Sequence, residues 1–104
     1  MVALMIDKQA DLKGVCERFG VARLELFGSA ATESDFDPDH SDLDFLVEFR
    51  PGQELGPWLS HFFAFQGALE ELFGRSVDLV MPSAVKNERF LREMNRTRRP
   101  VYAA

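Results

Sequence analysis

Apolar residues recur along the chain in two rhythms, one typical of helices and one typical of strands. Helical spacing predicts three helices, at residues 7–19, 58–73 and 86–95. Strand-like runs predict three strands, at residues 21–27, 42–50 and 76–81. Their order along the chain predicts an α+β fold, in which helices pack against a small mixed β-sheet of three to four strands. The residues after 95 read as a basic tail.

The predicted helix at residues 58–73 carries more aromatic residues than one core face needs. Trp58, Leu59 and Phe62 fall on one stripe, and Phe63 and Phe65 widen it. We favour a helix packed across the sheet. The alternative is a partly exposed aromatic patch that binds a partner.

The predicted strand at residues 42–50 carries charge in a pattern that packing does not explain. Its apolar residues alternate toward one face, whereas Asp42 and Asp44 point to the other. The two carboxylates would lie about 6 to 7 Å apart along the strand. They would repel each other unless a positive charge lay between them.

Asp78 is a third carboxylate, set within the otherwise apolar strand at residues 76–81. An unpaired carboxylate in a central strand is costly, so this residue should be paired or should bind a metal. If the two strands are neighbours, Asp78 comes level with Asp42 and Asp44. Such hard oxygen ligands suit Mg²⁺, which a few carboxylates usually hold together with substrate phosphates.

Gly28 and Ser29 interrupt the chain just after the first predicted strand. Glycine lets the backbone approach a ligand closely, and a serine at a helix start offers donors where the helix dipole favours an anion. A phosphate-binding turn that faces a carboxylate metal site is typical of nucleotidyl or phosphoryl transfer.

Composition narrows the class of protein. A chain of 104 residues is expected to form one domain, residues 1–104, with a small core. The single cysteine, Cys16, excludes an intrachain disulfide and is expected to pack in the first helix. A net charge of −5 argues against nucleic-acid binding through a basic surface. No apolar run is long enough for a membrane span, so a cytoplasmic protein is expected.

Gly28-Ser29, the segment Ser-Asp-Leu-Asp at 41–44 and the later Asp78 together resemble the minimal nucleotidyltransferases of the DNA polymerase β-like superfamily. The likeness runs through nearly the whole chain and implies the polymerase β-like fold. It also implies that ATP is the substrate, with its phosphates at Gly28 and Ser29. Two Mg²⁺ ions would be held by three catalytic carboxylates, the third assisting deprotonation of the acceptor: Asp42, Asp44 and Asp78.

The resemblance further implies a partner. Many small members of the family are similar to antitoxins encoded beside a HEPN-domain ribonuclease toxin. They transfer AMP from ATP to a tyrosine of that toxin and also bind it directly. On this interpretation the chain is a protein adenylyltransferase in a hetero-oligomer, with neither nucleic acid nor membrane as a partner.

One departure from the family pattern lies at Thr32 and Glu33, where a basic residue, often followed by glycine, is usual. Losing a positive charge beside the triphosphate should weaken ATP binding. Arg89 and Arg92 are the best placed by helical spacing to compensate. The basic residues after position 85 are equally typical of a solvated helix face.

Other classes of function stay open. A non-catalytic antitoxin would keep the fold and inhibit its toxin by contact alone. A plain structural domain with a solvated acidic loop would leave Asp78 unexplained. Transfer to a small molecule would normally need an extra domain. A calcium-binding EF-hand is excluded, because the acidic loop lacks the glycine required at its sixth position and strands flank it.

Overall fold

A mixed four-stranded sheet organises the chain, whose computed structural model describes residues 3–28, 31 and 42–104. The strands are β1 Val21–Phe27, β2 Leu43–Phe49, β3 Val77–Val80 and β4 Arg99–Ala103. Their order across the sheet is β3-β2-β1-β4. β1 pairs antiparallel with both β2 and β4, whereas β2 and β3 are parallel. The predicted α+β class and mixed sheet are confirmed.

The helices of the described residues are α1 Ala3–Asp7, α2 Gln9–Arg18, α3 Ser60–Phe73 and α4 Glu88–Thr97. Short 3-10 turns lie at Pro57–Leu59 and Pro82–Ala84. The helix predicted at residues 7–19 corresponds to α2, which begins two residues later, at Gln9. The short helix α1 precedes it. None of the helices in the described part of the chain is long and apolar enough to cross a membrane.

The larger core lies between one face of the sheet and helices α1 to α3. The alternation predicted for β2 is present, because Leu43, Phe45 and Val47 are fully buried on this face. Each large apolar side chain buried in this way contributes about 1.5–3 kcal/mol. From the helices, the buried residues that pack on them include Leu12, Cys16, Phe62, Phe65, Leu69 and Phe73.

The opposite face of the sheet is covered by α4 over a smaller cluster. Phe27, Leu46 and Met94 are its buried members, with Val80, Val85 and Leu91 packed around them. Asn87 begins α4 as its N-cap, since its Oδ1 accepts a hydrogen bond of 3.0 Å from the Phe90 amide. Asp42 and Asp78 stay exposed, so α4 leaves the acidic end of the sheet open.

The prediction of a basic tail after residue 95 is wrong. The last helix continues to Thr97, and Arg99–Ala103 forms the edge strand β4 against β1. Arginines and Pro100 hide the alternation that marks a strand. Pro100 is tolerated because an edge strand has amides that need no ladder partner.

The prediction of one apolar stripe from Trp58 onward is also wrong at its beginning. Trp58 and Leu59 have left-handed backbone angles, φ 56° and 57°, and precede α3 rather than belonging to it. Trp58 is 95% exposed. Within α3 the favoured interpretation is confirmed, since Phe62 and Phe65 are buried, although Phe63 stays 56% exposed.

Candidate active site

Phe27, Asp44 and Asp78 form one row across three neighbouring strands. The register pairs Phe27 of β1 with Asp44 of β2, and Asp44 with Asp78 of β3. Since paired residues share a face of the sheet, the two carboxylates stand side by side. The structure therefore brings together two of the three predicted carboxylates, and Asp42 lies exposed just before β2.

The surroundings of the Asp44 carboxyl group strongly perturb its pKa. Burial, followed by the charge of Asp78 and a side-chain hydrogen bond to it, raises the pKa of Asp44 to about 6, with a smaller contribution from Asp42. Without a nearby cation, two crowded acidic groups lower their repulsion by retaining a proton. The same arrangement is relieved when a divalent cation supplies the missing positive charge.

Asp44 and Asp78 together provide fewer protein ligands than a complete metal site needs. Among the described residues, no three histidine, cysteine, aspartate or glutamate side chains are grouped closely enough to hold a metal ion. Asp44 and Asp78 nonetheless present hard oxygen ligands of the kind Mg²⁺ prefers, and Mg²⁺ commonly completes its shell with water and substrate phosphates. The donor set therefore fits a magnesium ion that arrives with its nucleotide.

Gly28 follows the last residue of β1 and lies directly beside Asp44. Its φ is +74°, and a Cβ at this position would come within 2.7 Å of Asp44 Oδ2. Any other residue would meet both the left-handed backbone penalty and this carboxylate. The absence of a side chain at Gly28 therefore leaves room for the Asp44 carboxylate at this end of the sheet.

The amide of Gly28 is directed to α4. Its N–H donates a 3.0 Å hydrogen bond to Thr97 Oγ1, and the Thr97 hydroxyl donates to the carbonyl of Glu93 at 3.0 Å. Thr97 is only 5% exposed. The end of α4 thus holds the turn in place, and the prediction that this turn binds phosphate depends on Ser29, which lies outside the described residues.

Glu25 and Arg98 form a second link between α4 and β1, one that sequence reasoning missed. Glu25 is 3% exposed, and Arg98 Nε donates to its Oε2 at 3.0 Å while Arg23 Nε donates to its Oε1 at 2.9 Å. The hydrogen bond from Arg98, followed by that from Arg23, outweighs burial and holds the pKa of Glu25 below its usual value. The available signal was an acidic residue inside an apolar strand, the same signal that identified Asp78.

An aromatic cavity of about 340 Å³ opens beside the two aspartates, at the edge formed by β3. Asp44 and Asp78 contribute its polar side, together with Gln66, whose Nε2 donates to the Val77 carbonyl at 2.7 Å. The other residues that line it are apolar: Phe27, Phe62, Phe63, Leu79, Val80 and Phe90.

The remaining candidates lie elsewhere. Cys16 is fully buried and burial raises its pKa to about 12, as expected for a packed thiol. Arg89 and Arg92 are exposed on α4, and their compensating role stays a prediction. Thr32 and Glu33 lie outside the described residues.

Comparison with known proteins identifies relatives over most of the chain. Residues 12–102 match the nucleotidyltransferase domain family. Protein adenylyltransferase MntA of Thermococcus cleftensis is 40% identical over 78 residues, which span 75% of this chain and 73% of that protein. A protein of Methanocaldococcus jannaschii that is provisionally named a protein adenylyltransferase is 38% identical over 71 residues, 68% of this chain and 66% of that protein.

Solved structures show the same architecture. A minimal nucleotidyltransferase superposes with a TM-score of 0.70 at 29% identity, over 91% of this chain and 90% of that one. A toxin-antitoxin structure with AMP-PNP gives a TM-score of 0.67 at 13% identity, over 92% of this chain and 73% of the other. At 13% identity the second likeness shows the fold alone.

Proposed function

Since the chain belongs to the minimal nucleotidyltransferases of the nucleotidyltransferase domain family, we propose that it transfers AMP from ATP to a tyrosine of a HEPN-type ribonuclease toxin, as that toxin's antitoxin. The observation that carries the proposal is the pairing of Asp44 with Asp78 at the open end of the sheet. The names of the two archaeal relatives support a protein as the acceptor.

Asp42, Asp44 and Asp78 are the residues that would hold Mg²⁺. When bound, the metal supplies positive charge to the triphosphate and to the pyrophosphate that leaves. The chain's own contribution is to orient oxygen ligands on neighbouring strands. Because Gly28 has no side chain, it also leaves room for the Asp44 carboxylate.

In the reaction that we propose, the phenolic oxygen of the acceptor forms a bond to the α-phosphorus of ATP. The bond between that phosphorus and the bridging oxygen breaks, and pyrophosphate leaves with the electron pair. The phenolic proton passes to a carboxylate, for which Asp78 is the candidate because it is exposed beside Asp44. The product is a phosphodiester in which the α-phosphate joins the adenosine to the tyrosine oxygen.

The decisive experiment combines the chain, the toxin encoded beside it, ATP and Mg²⁺, and then measures the mass of the toxin. A gain of one or more AMP units on a tyrosine, absent when EDTA is added, is the expected result. Asp42→Asn combined with Asp44→Asn should abolish the gain while leaving the circular dichroism spectrum unchanged.

Thr32 and Glu33 favour one alternative, an antitoxin that neutralises the toxin by binding alone, because they remove a positive charge from the family's phosphate site. That alternative predicts a stable complex without any mass gain. It also predicts that the double aspartate variant protects cells as well as the natural chain does. If the experiment gave no mass gain and no complex, that result would contradict both functions.

A further inference from the structure

Two walls of the aromatic cavity beside Asp44 and Asp78 are phenylalanine side chains that remain partly exposed. Phe63 and Phe90 line it from α3 and α4, yet they stay 56% and 42% exposed. Phe90 meets Phe27 edge-on, with ring centroids 6.0 Å apart, and Phe63 meets Phe62 edge-on at 5.2 Å. Two supported but open rings therefore face the cavity from different elements.

The polar side of the cavity selects what can enter it. Asp44 and Asp78 are hydrogen-bond acceptors when ionised, and Gln66 is already engaged with the Val77 carbonyl. A ligand with an aromatic body and a hydroxyl donor at its tip satisfies both the apolar walls and the carboxylates. Adenine also has a donor, its 6-amino group, beside ring nitrogens that accept hydrogen bonds, so adenosine is tested below as the competing ligand.

The cavity also has a definite position relative to the described residues at the end of β1. Phe27 and Asp44 line it, but Gly28 does not, and the cavity extends from the aspartates toward the outer strand β3. An acceptor carried by another protein must reach the aspartates from outside the chain. The open edge formed by Phe63 and Phe90 provides that approach.

We infer, on the basis of the proposed function, that this cavity binds the ring of the acceptor tyrosine, with Phe63 and Phe90 as its specificity-determining walls. The volume of about 340 Å³ accommodates one such side chain and leaves room for the reacting phosphate. Serine or threonine acceptors would reach the carboxylates without filling the apolar part, so the cavity discriminates against them.

Binding of the side chain is measured first, without catalysis. The probe is N-acetyl-tyrosine amide, and the reporters are the methyl NMR signals of Leu79 and Val80 in the full chain. We expect saturable shifts at about millimolar concentration, at least about tenfold weaker for Phe63→Ala, and none with N-acetyl-serine amide. Adenosine that shifts the same signals and displaces the probe would overturn the assignment.

Transfer to the toxin is measured second, with variants that should fold because the altered side chains are only partly buried. Phe63→Ala and Phe90→Ala should each raise KM for the toxin about tenfold and leave Kd for ATP unchanged within about twofold. Trp58→Ala is the matched control, since Trp58 is 95% exposed but does not line the cavity. It should leave KM unchanged.

The two measurements separate the possible failures. An equal effect of Trp58→Ala, or a parallel rise in Kd for ATP, would overturn the pocket. So would normal transfer by both phenylalanine variants. Absence of transfer by the natural chain, with the probe still bound in the cavity, would instead contradict the proposed function.

Discussion

Gly28 shows how one residue position joins the fold to the candidate chemistry. Its backbone is left-handed and its missing side chain leaves room for a carboxylate of the neighbouring strand. The sequence predicts Gly28 as part of a phosphate-binding turn. The structure adds a steric reason that depends on the register between β1 and β2, which pairs Phe27 with Asp44.

Gly28→Ala should lower the free energy of unfolding by about 1–2 kcal/mol, because alanine is disfavoured at positive φ. It should also lower transfer more than stability alone explains, since the new methyl group displaces Asp44. Urea unfolding and the toxin mass assay measure the two effects.

The control for this prediction is Gly14→Ala in α2, where an added Cβ meets nothing within 4 Å. That change should raise the free energy of unfolding by about 0.5–1 kcal/mol, as expected for glycine in a helix. The same substitution is thus expected to change the free energy of unfolding in opposite directions at the two positions. A stable, fully active Gly28→Ala variant would contradict the steric role.

Cys16 should be chemically silent in the folded protein. It is fully buried and its pKa is raised to about 12, so almost no thiolate exists at pH 8. A thiol reagent such as 5,5′-dithiobis(2-nitrobenzoic acid) should react only after denaturant is added. Rapid reaction of the native protein would show that the packing of α2 against the sheet is looser than described.

At the scale of elements, the end of α4 and the strand β4 fasten the chain's C-terminal part to β1. Thr97 contacts Gly28, Arg98 pairs with Glu25, and β4 then adds the outer strand. Periodicity could not predict this arrangement, because it depends on partners far apart in sequence. The basic composition was real, but one of the arginines serves a buried ion pair.

Arg98→Met should lower the free energy of unfolding by about 2–3 kcal/mol, since it leaves the buried Glu25 without its main partner. Arg96→Met removes an exposed pair with Glu93 and should change stability by less than about 0.5 kcal/mol. Chemical denaturation of both variants checks the contrast. Equal effects would mean that the Glu25–Arg98 pair adds nothing beyond surface electrostatics.

At the scale of the whole molecule, Asp44 and Glu25 give stability opposite dependences on pH. The raised pKa of Asp44 means that the folded, metal-free protein holds a proton more tightly than the unfolded chain does. Stability is therefore lost as pH rises from about 4 through about 6. The lowered pKa of Glu25 means that stability is instead lost as pH falls through that lowered value.

The metal-free protein is accordingly expected to be most stable at mildly acidic pH. In EDTA, raising the pH from about 4 to about 7 should lower the free energy of unfolding by about 1–2 kcal/mol. This figure allows for the partial exposure of Asp44. Asp44→Asn should remove most of this loss, and Mg²⁺ should reduce it in the natural chain. Urea unfolding across the pH range measures these changes. A loss that persists in Asp44→Asn would show that another group is responsible.

The local pattern of the sequence determined much of the fold. β1 has the predicted bounds, β2 and β3 lie within theirs, α3 deviates only at its beginning, and α2 is shorter than predicted by two residues at its beginning and one at its end. These elements are readable because periodic apolar residues must be buried wherever the sheet lies. The bounds of α4 and the existence of β4 were not readable, since charged residues and Pro100 mask the pattern there.

The sequence by itself also identified the candidate side chains for the chemistry, because acids in apolar strands are too costly to be there without a role. Only the tertiary structure decided how they meet. It placed Asp44 beside Asp78, Gly28 against Asp44, Glu25 beneath Arg98, and two open phenylalanine rings around the aspartates. Pairing register and helix docking set these contacts, and both depend on the packing of the whole chain rather than on any local pattern.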